Sequence, residues 1–493
     1  MKNRFLLFFL LLFFVQFSWA NRFEFTPLAT EAYQKAMSLR FEEARQDIEK
    51  LKRDDPENRI VYFIENYIDF FTVFINENKS EFKKLERNKS YRLKQIRRGD
   101  RNSPYYLYCQ AEVKLQWALA RLKFEQYFTA FNEVSSAYKM LKRNQRKFPD
   151  FIANKKSLGI LHALVGTVPD NYKWGVKLLG GMTGNIEKGK KEVEDVLNYA
   201  QTNPFLFEEE TLVMYAFLML HLKNDLDSAW EIIQNNKLDA TKNPLICFSL
   251  ANIAMRTGRN DLAVEILENR PRGKQFAEFH YLEYLLGLGK LYRLEIGADK
   301  HLLNYLENFH GQNYIKEAYQ KLAWYSLVRG NEINYLYYIK FCKTEGARVI
   351  GGDKNAEKEA KSKVIPNMDL LKARLLFDGG YLERALKFLK KRSLADFNTQ
   401  KNQLEYTYRL GRIYHKMKSY DDAISYYQTT IDRGKDATSY YFACNAALQI
   451  GLIHEKLGDK VSAKKFFKLC LDIDPDQYKS SLHQKAKAGL NRL

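Results

Sequence analysis

The stretch CNAALQIGLIHEKLGDKVSAKKFFKLCLDIDPDQ, Cys444–Gln477, decides the fold. Gly458-Asp459 makes a turn with a helical segment on either side. Gly451 before the turn and Ala463 after it are both small, and they stand twelve residues apart. Small residues on both sides of a turn predict a helical hairpin that packs closely there. Ile450 and Phe467 fill the surrounding space. Cys470 is small where a following element would pack, and Pro475 stops the second helix because it has no N–H to donate.

The same order recurs upstream. Leu410-Gly411, Tyr414, Ala423 and Tyr427 repeat it, with 40 residues between Gly411 and Gly451. Ala373, Leu376, Ala385 and Leu389 repeat it again around Gly379-Gly380. Over Asn367–Leu493 the chain resembles the tetratricopeptide repeat family, whose unit is a hairpin of helices A and B in about 34 residues. The family places small residues at positions 8, 20 and 27, where Gly451, Ala463 and Cys470 stand, and large ones at 7 and 24, where Ile450 and Phe467 stand. The resemblance implies a non-catalytic binding scaffold in which stacked A helices line a concave groove.

Fainter copies run towards the N-terminus: Ala32, Ala44, Ile48 and Pro56, then Ala251, Ala263 and Leu267 around Thr257-Gly258. Prolines 27, 56, 104, 149, 169, 204, 244 and 271 fall at intervals of 20 to 48 residues, as punctuation between hairpins would. The expected architecture is all-α, a right-handed α-solenoid of stacked tetratricopeptide-like helical hairpins. Residues 1–20 read as a signal peptide, 21–343 as a divergent helical array, 344–366 as a charged loop or hinge, and 367–493 as the C-terminal repeats. Val168-Pro169, Leu178-Leu179-Gly180-Gly181, Gly184 and Gly189 resemble the middle of the tetratricopeptide repeat protein 39 family, which is linked to the mitochondrial outer membrane and inclusion-body clearance. Met182 stands where that family has an aromatic residue, so the resemblance is carried as kinship in fold alone.

Export is read from the start of the chain. Lys2 and Arg4 precede an apolar run over Phe5–Val15, and Ser18 and Ala20 are small at a cleavage site. Eleven apolar residues fall short of the roughly 20 that cross a bilayer. The expected product is soluble and periplasmic or extracellular; an uncleaved anchor is the alternative. The whole chain carries a formal charge of +20, or +18 without Lys2 and Arg4, which favours anionic partners without choosing among them. Export makes nucleic acid an unexpected partner. The five cysteines are scattered and include no CxxC, which offers neither a zinc spacing nor a disulfide framework; a Cys444–Cys470 bridge stays open.

Residues with chemistry to offer are few. Gly184-Asn-Ile-Glu-Lys-Gly189-Lys190-Lys191 approaches a phosphate-binding loop, but Lys191 replaces the Ser or Thr and no buried strand precedes it. The eight histidines include no HExxH, and no GxSxG is present. No enzyme activity, cofactor, metal or small-molecule substrate is therefore expected. The resemblance places Arg374, Tyr408, Arg412, His415 and Asn445 on the groove side of the A helices, where they would hold a protein or peptide partner. The alternative is an anionic polymer or membrane surface bound through the basic segment 79–101, with Arg92, Lys94, Arg97 and Arg98 at its centre.

Overall fold

The computed structural model describes residues 21–166, 181–223, 225–234, 238–437 and 439–493. The leader expected over Met1–Ala20 and most of the Val168–Gly181 stretch lie outside them. Among the described residues the regular elements are helices, with one parallel β-bridge between Arg22 and Asn58. The chain is an all-α array of consecutive helical hairpins, as the repeat pattern implies. It divides into two compact units, Met1–Thr257 with Glu265–Leu282 and Asn308–Gln312, and Gly258–Val264 with Glu283–Glu307 and Asn313–Leu493.

The first unit holds α1 (Pro27–Met37), α2 (Phe41–Asp54), α3 (Ile60–Asn76), α4 (Lys79–Ile96), α5 (Tyr105–Lys123) and α6 (Tyr127–Lys147). It continues with α7 (Ala153–Gly166), α8 (Ile186–Thr202), α9 (Glu208–Leu218), α10 (Leu226–Gln234) and α11 (Pro244–Arg256). Neighbours pack in pairs: α1 with α2, α3 with α4, α5 with α6, α7 with α8, α9 with α10. Pro27 and Pro244 sit in the first turn of α1 and α11, behind the capping side chains of Thr26 and Asn243. There the missing N–H is an orphan in any case, so these prolines open helices instead of closing them. Ala29, Ala32, Ala36 and Ala44 are fully buried and let α1 and α2 come close, while aromatic edges fill the larger gaps, as between Tyr33 and Tyr67 (5.3 Å) or Tyr33 and Phe207 (5.5 Å).

One ion cluster is sealed inside this unit. Lys156 is 1% exposed and lies 3.0 Å from both Glu112 and Glu210, and Glu210 also accepts from the hydroxyls of Tyr33 and Tyr67 at 3.2 Å each. Burial opposes the lysine charge, and the two carboxylates outweigh it, so the ammonium titrates above its ordinary range. The Gly184–Lys191 segment serves packing here. Asn185 caps α8 by accepting from Lys188 N (2.8 Å), and a Cβ on Gly189 would come within 2.3 Å of the Gly159 carbonyl.

The second unit continues with α12 (Asn260–Glu268), α13 (Tyr281–Tyr292) and α14 (Ala298–Asn308), each of which also contributes residues to the first. Then follow α15 (Ile315–Val328), α16 (Glu332–Ile339), α17 (Phe341–Thr344), α18 (Gly351–Ser362), α19 (Met368–Asp378), α20 (Leu382–Leu389) and α21 (Gln400–Lys416). The unit ends with α22 (Tyr420–Gly434), α23 (Phe442–Lys456), α24 (Lys460–Asp472) and α25 (Lys479–Arg492). Hairpins α19–α20, α21–α22 and α23–α24 are the three repeats read from the sequence. Gly411 and Gly451 sit where the spacing puts them, yet their tightest neighbours are rings. A Cβ on Gly411 would lie 2.6 Å from Tyr427, and one on Gly451 would lie 2.6 Å from Phe467. Ala463 is fully buried one turn before that ring.

The segment 344–366 is not the loop its charge suggested. Residues Gly351–Ser362 form α18, which buries Asp353, Ala356, Glu357 and Ala360. The Asp353 carboxylate accepts from Tyr314 N (2.8 Å) and Glu317 N (3.0 Å) at the start of α15. Helix α18 itself carries no large apolar residue, because alanines and partnered acids fill its buried face.

Candidate peptide-binding groove

Helices α19, α21 and α23 are the first helices of the three C-terminal hairpins and carry the five residues assigned to the groove. Arg374 on α19 keeps 44% of its side chain exposed. Its guanidinium lies 4.6 Å from the centre of the Trp324 ring, and its Nε is 3.6 Å from Asp378, too far for a full hydrogen bond. Arg412 on α21 is exposed and lies 4.5 Å from the Phe377 ring centre. It borders a shallow recess with Ala373, Phe377, Arg409 and Ile413. Burial works against both guanidinium charges; Asp378 offsets this at Arg374, and at Arg412 the Tyr408 hydroxyl does so ahead of Asp378. An arginine stacked by its flat face retains the N–H fork on its edge for a carboxylate.

The other three residues behave differently. Tyr408 is 2% exposed, packed among Tyr427, Tyr441 and Phe442 at 5.4–6.0 Å, and offers no aromatic surface to a ligand. The expectation that Tyr408 would hold a partner is corrected: the hairpins bury the ring, and Asn445 Nδ2 donates to its hydroxyl at 2.6 Å. Asn445 in turn accepts from Gln449 at 3.1 Å, so this pair shapes the groove floor. His415 is half-buried between Tyr420 and Tyr427. Burial, then Lys456, Arg412 and Lys416, push its pKa down to about 4, which leaves it neutral at pH 7.

Sequence reasoning missed the side chains that support the two arginines. Trp324 is fixed by its Nε1–H donating to Glu359 (2.8 Å), which also accepts from Gln320 and Tyr335. Tyr478, 48% exposed, stands edge-on to Tyr441 at 5.1 Å, and its hydroxyl donates to Asn355 at 3.2 Å. No spacing in the sequence joins Asn355 to Tyr478.

The alternative site is split by the fold. Arg92 is 7% exposed, ion-paired with Asp69 and 3.5 Å from Glu65, so it is removed from the anion-binding set. Its place on the buried face of α4 makes it a strut of the first unit. Lys94, Arg97 and Arg98 are exposed. Among the described residues no group of three or more His, Cys, Asp or Glu side chains could hold a metal ion.

Consecutive paired helices with glycine-to-ring contacts define a helical-repeat fold. More particularly, residues 407–438 and 445–477 each match the tetratricopeptide repeat, a class of protein-interaction module. No curated protein matches the chain. Among solved structures it is similar to the one titled "Structure of Naa15/Naa10 bound to HypK-THB", at 14% identity and a TM-score of 0.24 over 95% of this chain. The chain spans 66% of that chain's length. It is also similar to a circular tandem repeat protein with novel repeat topology and enhanced subunit contact surfaces, at 11% identity, a TM-score of 0.20, and coverage of 94% and 98%.

Proposed function

We propose that the protein is an exported, non-catalytic scaffold whose C-terminal repeats hold a protein partner through an extended acidic segment. The observation that carries this reading is the pair of exposed arginines, Arg374 and Arg412, each with its guanidinium fork beside a ring, Arg412 also bonded to the Tyr408 hydroxyl. Two such forks favour side-chain carboxylates over neutral peptide. The compartment rests on the leader over Met1–Ala20, with cleavage leaving Asn21 first; N-terminal sequencing of the protein from its host decides between that and an anchored chain.

The binding test compares wild type with Arg374→Ala/Arg412→Ala. Proteins cross-linked to the wild-type chain in its own compartment are identified, and their acidic segments are titrated as synthetic peptides. Charge-assisted pairs of this kind contribute about 1.5–3 kcal/mol each, so the double variant should bind at least about a hundredfold more weakly with an unchanged helical spectrum. Equal binding by both proteins would remove the groove from the account.

A further inference from the structure

We infer that the exposed face of α4 docks the first unit on an anionic lipid surface. The inference concerns a different surface from the groove and stands or falls without it. Its basis is how the helix sorts its charges. At 100° per residue, Lys83, Lys84, Arg87 and Lys94 fall within an arc of about 100°, Arg97 and Arg98 follow in the turn that ends the helix, and all six are exposed. The opposite arc buries Phe82, Leu93 and Ile96, together with two of the cations, Lys89 and Arg92. Lys89 pairs with Glu133, and Arg92 with Asp69.

The acids of the helix are half-buried and each has a partner. Glu81 accepts from Asn76 (3.0 Å) and Glu86 pairs with Arg121 on α5. What remains outside is a row of cations whose one intervening carboxylate, Glu86, is ion-paired with Arg121 and 35% exposed; Asp100, beyond the end, accepts from Asn102 N. Lys83, Arg87, Tyr91, Lys94 and Arg98 follow one another at steps of four, four, three and four residues. From Lys83 to Lys94 they make a straight stripe about 16 Å long, and Arg98 follows just past the helix end. Tyr91, 55% exposed at its middle, is an aromatic of the kind that settles at a headgroup boundary.

The shape selects the partner. A straight, convex helix face presents its charges to a plane. A single-stranded nucleic acid calls for a groove with a succession of stacking platforms, and here one tyrosine stands alone in the row. No described helix is long and apolar enough to cross a membrane.

The test is flotation of the full chain with phosphatidylcholine vesicles, with and without about a third of anionic lipid, at salt of about 0.1 M and about 0.5 M. Each cation near such a surface contributes about fivefold in binding. Lys83→Ala/Arg87→Ala/Lys94→Ala/Arg98→Ala should therefore bind anionic vesicles at least about a hundredfold more weakly. The control is Lys464→Ala/Lys465→Ala/Lys468→Ala/Lys485→Ala, which removes the same charge from exposed positions on α24 and α25. It should stay within a few-fold of wild type, and both variants should keep the wild-type helical spectrum. Equal losses in the two variants would mean that net charge alone binds and would overturn the docking face. So would a wild-type chain that ignores anionic vesicles, or one that binds soluble single-stranded DNA or heparin in their place.

Discussion

Replacing Gly451 by Ala sets two effects against each other in one repeat. Inside a helix, alanine is favoured over glycine by about 1 kcal/mol. Against this, the new methyl would lie 2.6 Å from Phe467 Cδ1 and 2.7 Å from Cε1. The ring has nowhere to retreat, because Gly489 of α25 backs its other edge, where a Cβ would come within 2.5 Å of Cε2 and Cζ. Overpacking a filled core costs about 1–3 kcal/mol, so steric strain wins and the net loss is about 1 kcal/mol.

The sign is the test, and it reverses when the ring is removed. Phe467→Leu alone should cost about 1–3 kcal/mol in lost burial and cavity. In that background Gly451→Ala meets open space and should stabilise by up to about 1 kcal/mol. The coupling between the two sites is then about 2 kcal/mol. Repeat arrays open piecemeal, so the measurement is amide hydrogen exchange over Phe442–Lys456 in the full chain, where this coupling appears as about a thirtyfold difference in rate. If Gly451→Ala slows exchange by the same factor in both backgrounds, the ring does not set the glycine, and the packing argument fails.

Other consequences can be measured more briefly. Lys156→Met would strand Glu112 and Glu210 around an apolar side chain and should cost about 3–5 kcal/mol, seen as a lower Tm; Lys156→Met/Glu112→Gln/Glu210→Gln should recover much of it, and a single variant as stable as wild type would refute the buried pairing. His415 titrates near 6.5 when unfolded and at about 4 when folded, so the unfolded chain takes up the proton first and stability falls as pH drops from 6.5 towards 4. For a partly exposed ring that loss is about 1–2 kcal/mol, and His415→Gln should flatten this part of the curve relative to wild type. Cys444 and Cys470 are free thiols with sulfurs 3.6 Å apart; oxidation by a glutathione disulfide buffer should join them and stabilise the last hairpin by about 3–4 kcal/mol through its 26-residue loop, and peptide mapping that finds no Cys444–Cys470 link after oxidation would refute that pairing.

The fold was legible where a repeat constrains residue size. Gly411, Ala423 and Tyr427, like Gly451, Ala463 and Phe467, mark positions that only small or only aromatic residues fill, and those constraints read directly from the letters. The 344–366 segment shows the limit of the method. Its buried face uses Ala356 and Ala360 beside Asp353 and Glu357, and a buried acid looks like a solvated one until its partners, the backbone N–H groups of Tyr314 and Glu317, are in place. The same limit misplaced Tyr408. It was assigned to the groove side of a first helix, but Tyr427, Tyr441 and Phe442 close over the ring.

Charge separates the readable part of function from the unreadable part. Ten cations over Lys79–Arg101 form one cluster when counted along the chain, and that count merged two populations with opposite roles. Applying the helical period to the same letters places Lys83, Arg87, Lys94 and Arg98 on one side and Lys89 and Arg92 on the other, so the division was available in the sequence. What the period could not supply was the reason for it. Asp69 and Glu133, the acids that hold the inward pair, come from α3 and α6, 23 and 44 residues away. The groove is harder still, because its arginines depend on rings set by the stacking of successive hairpins, as Trp324 is set beneath Arg374. A helix face can be read one period at a time, but a groove exists only after several helices have packed, and its ligand chemistry is a property of that packing.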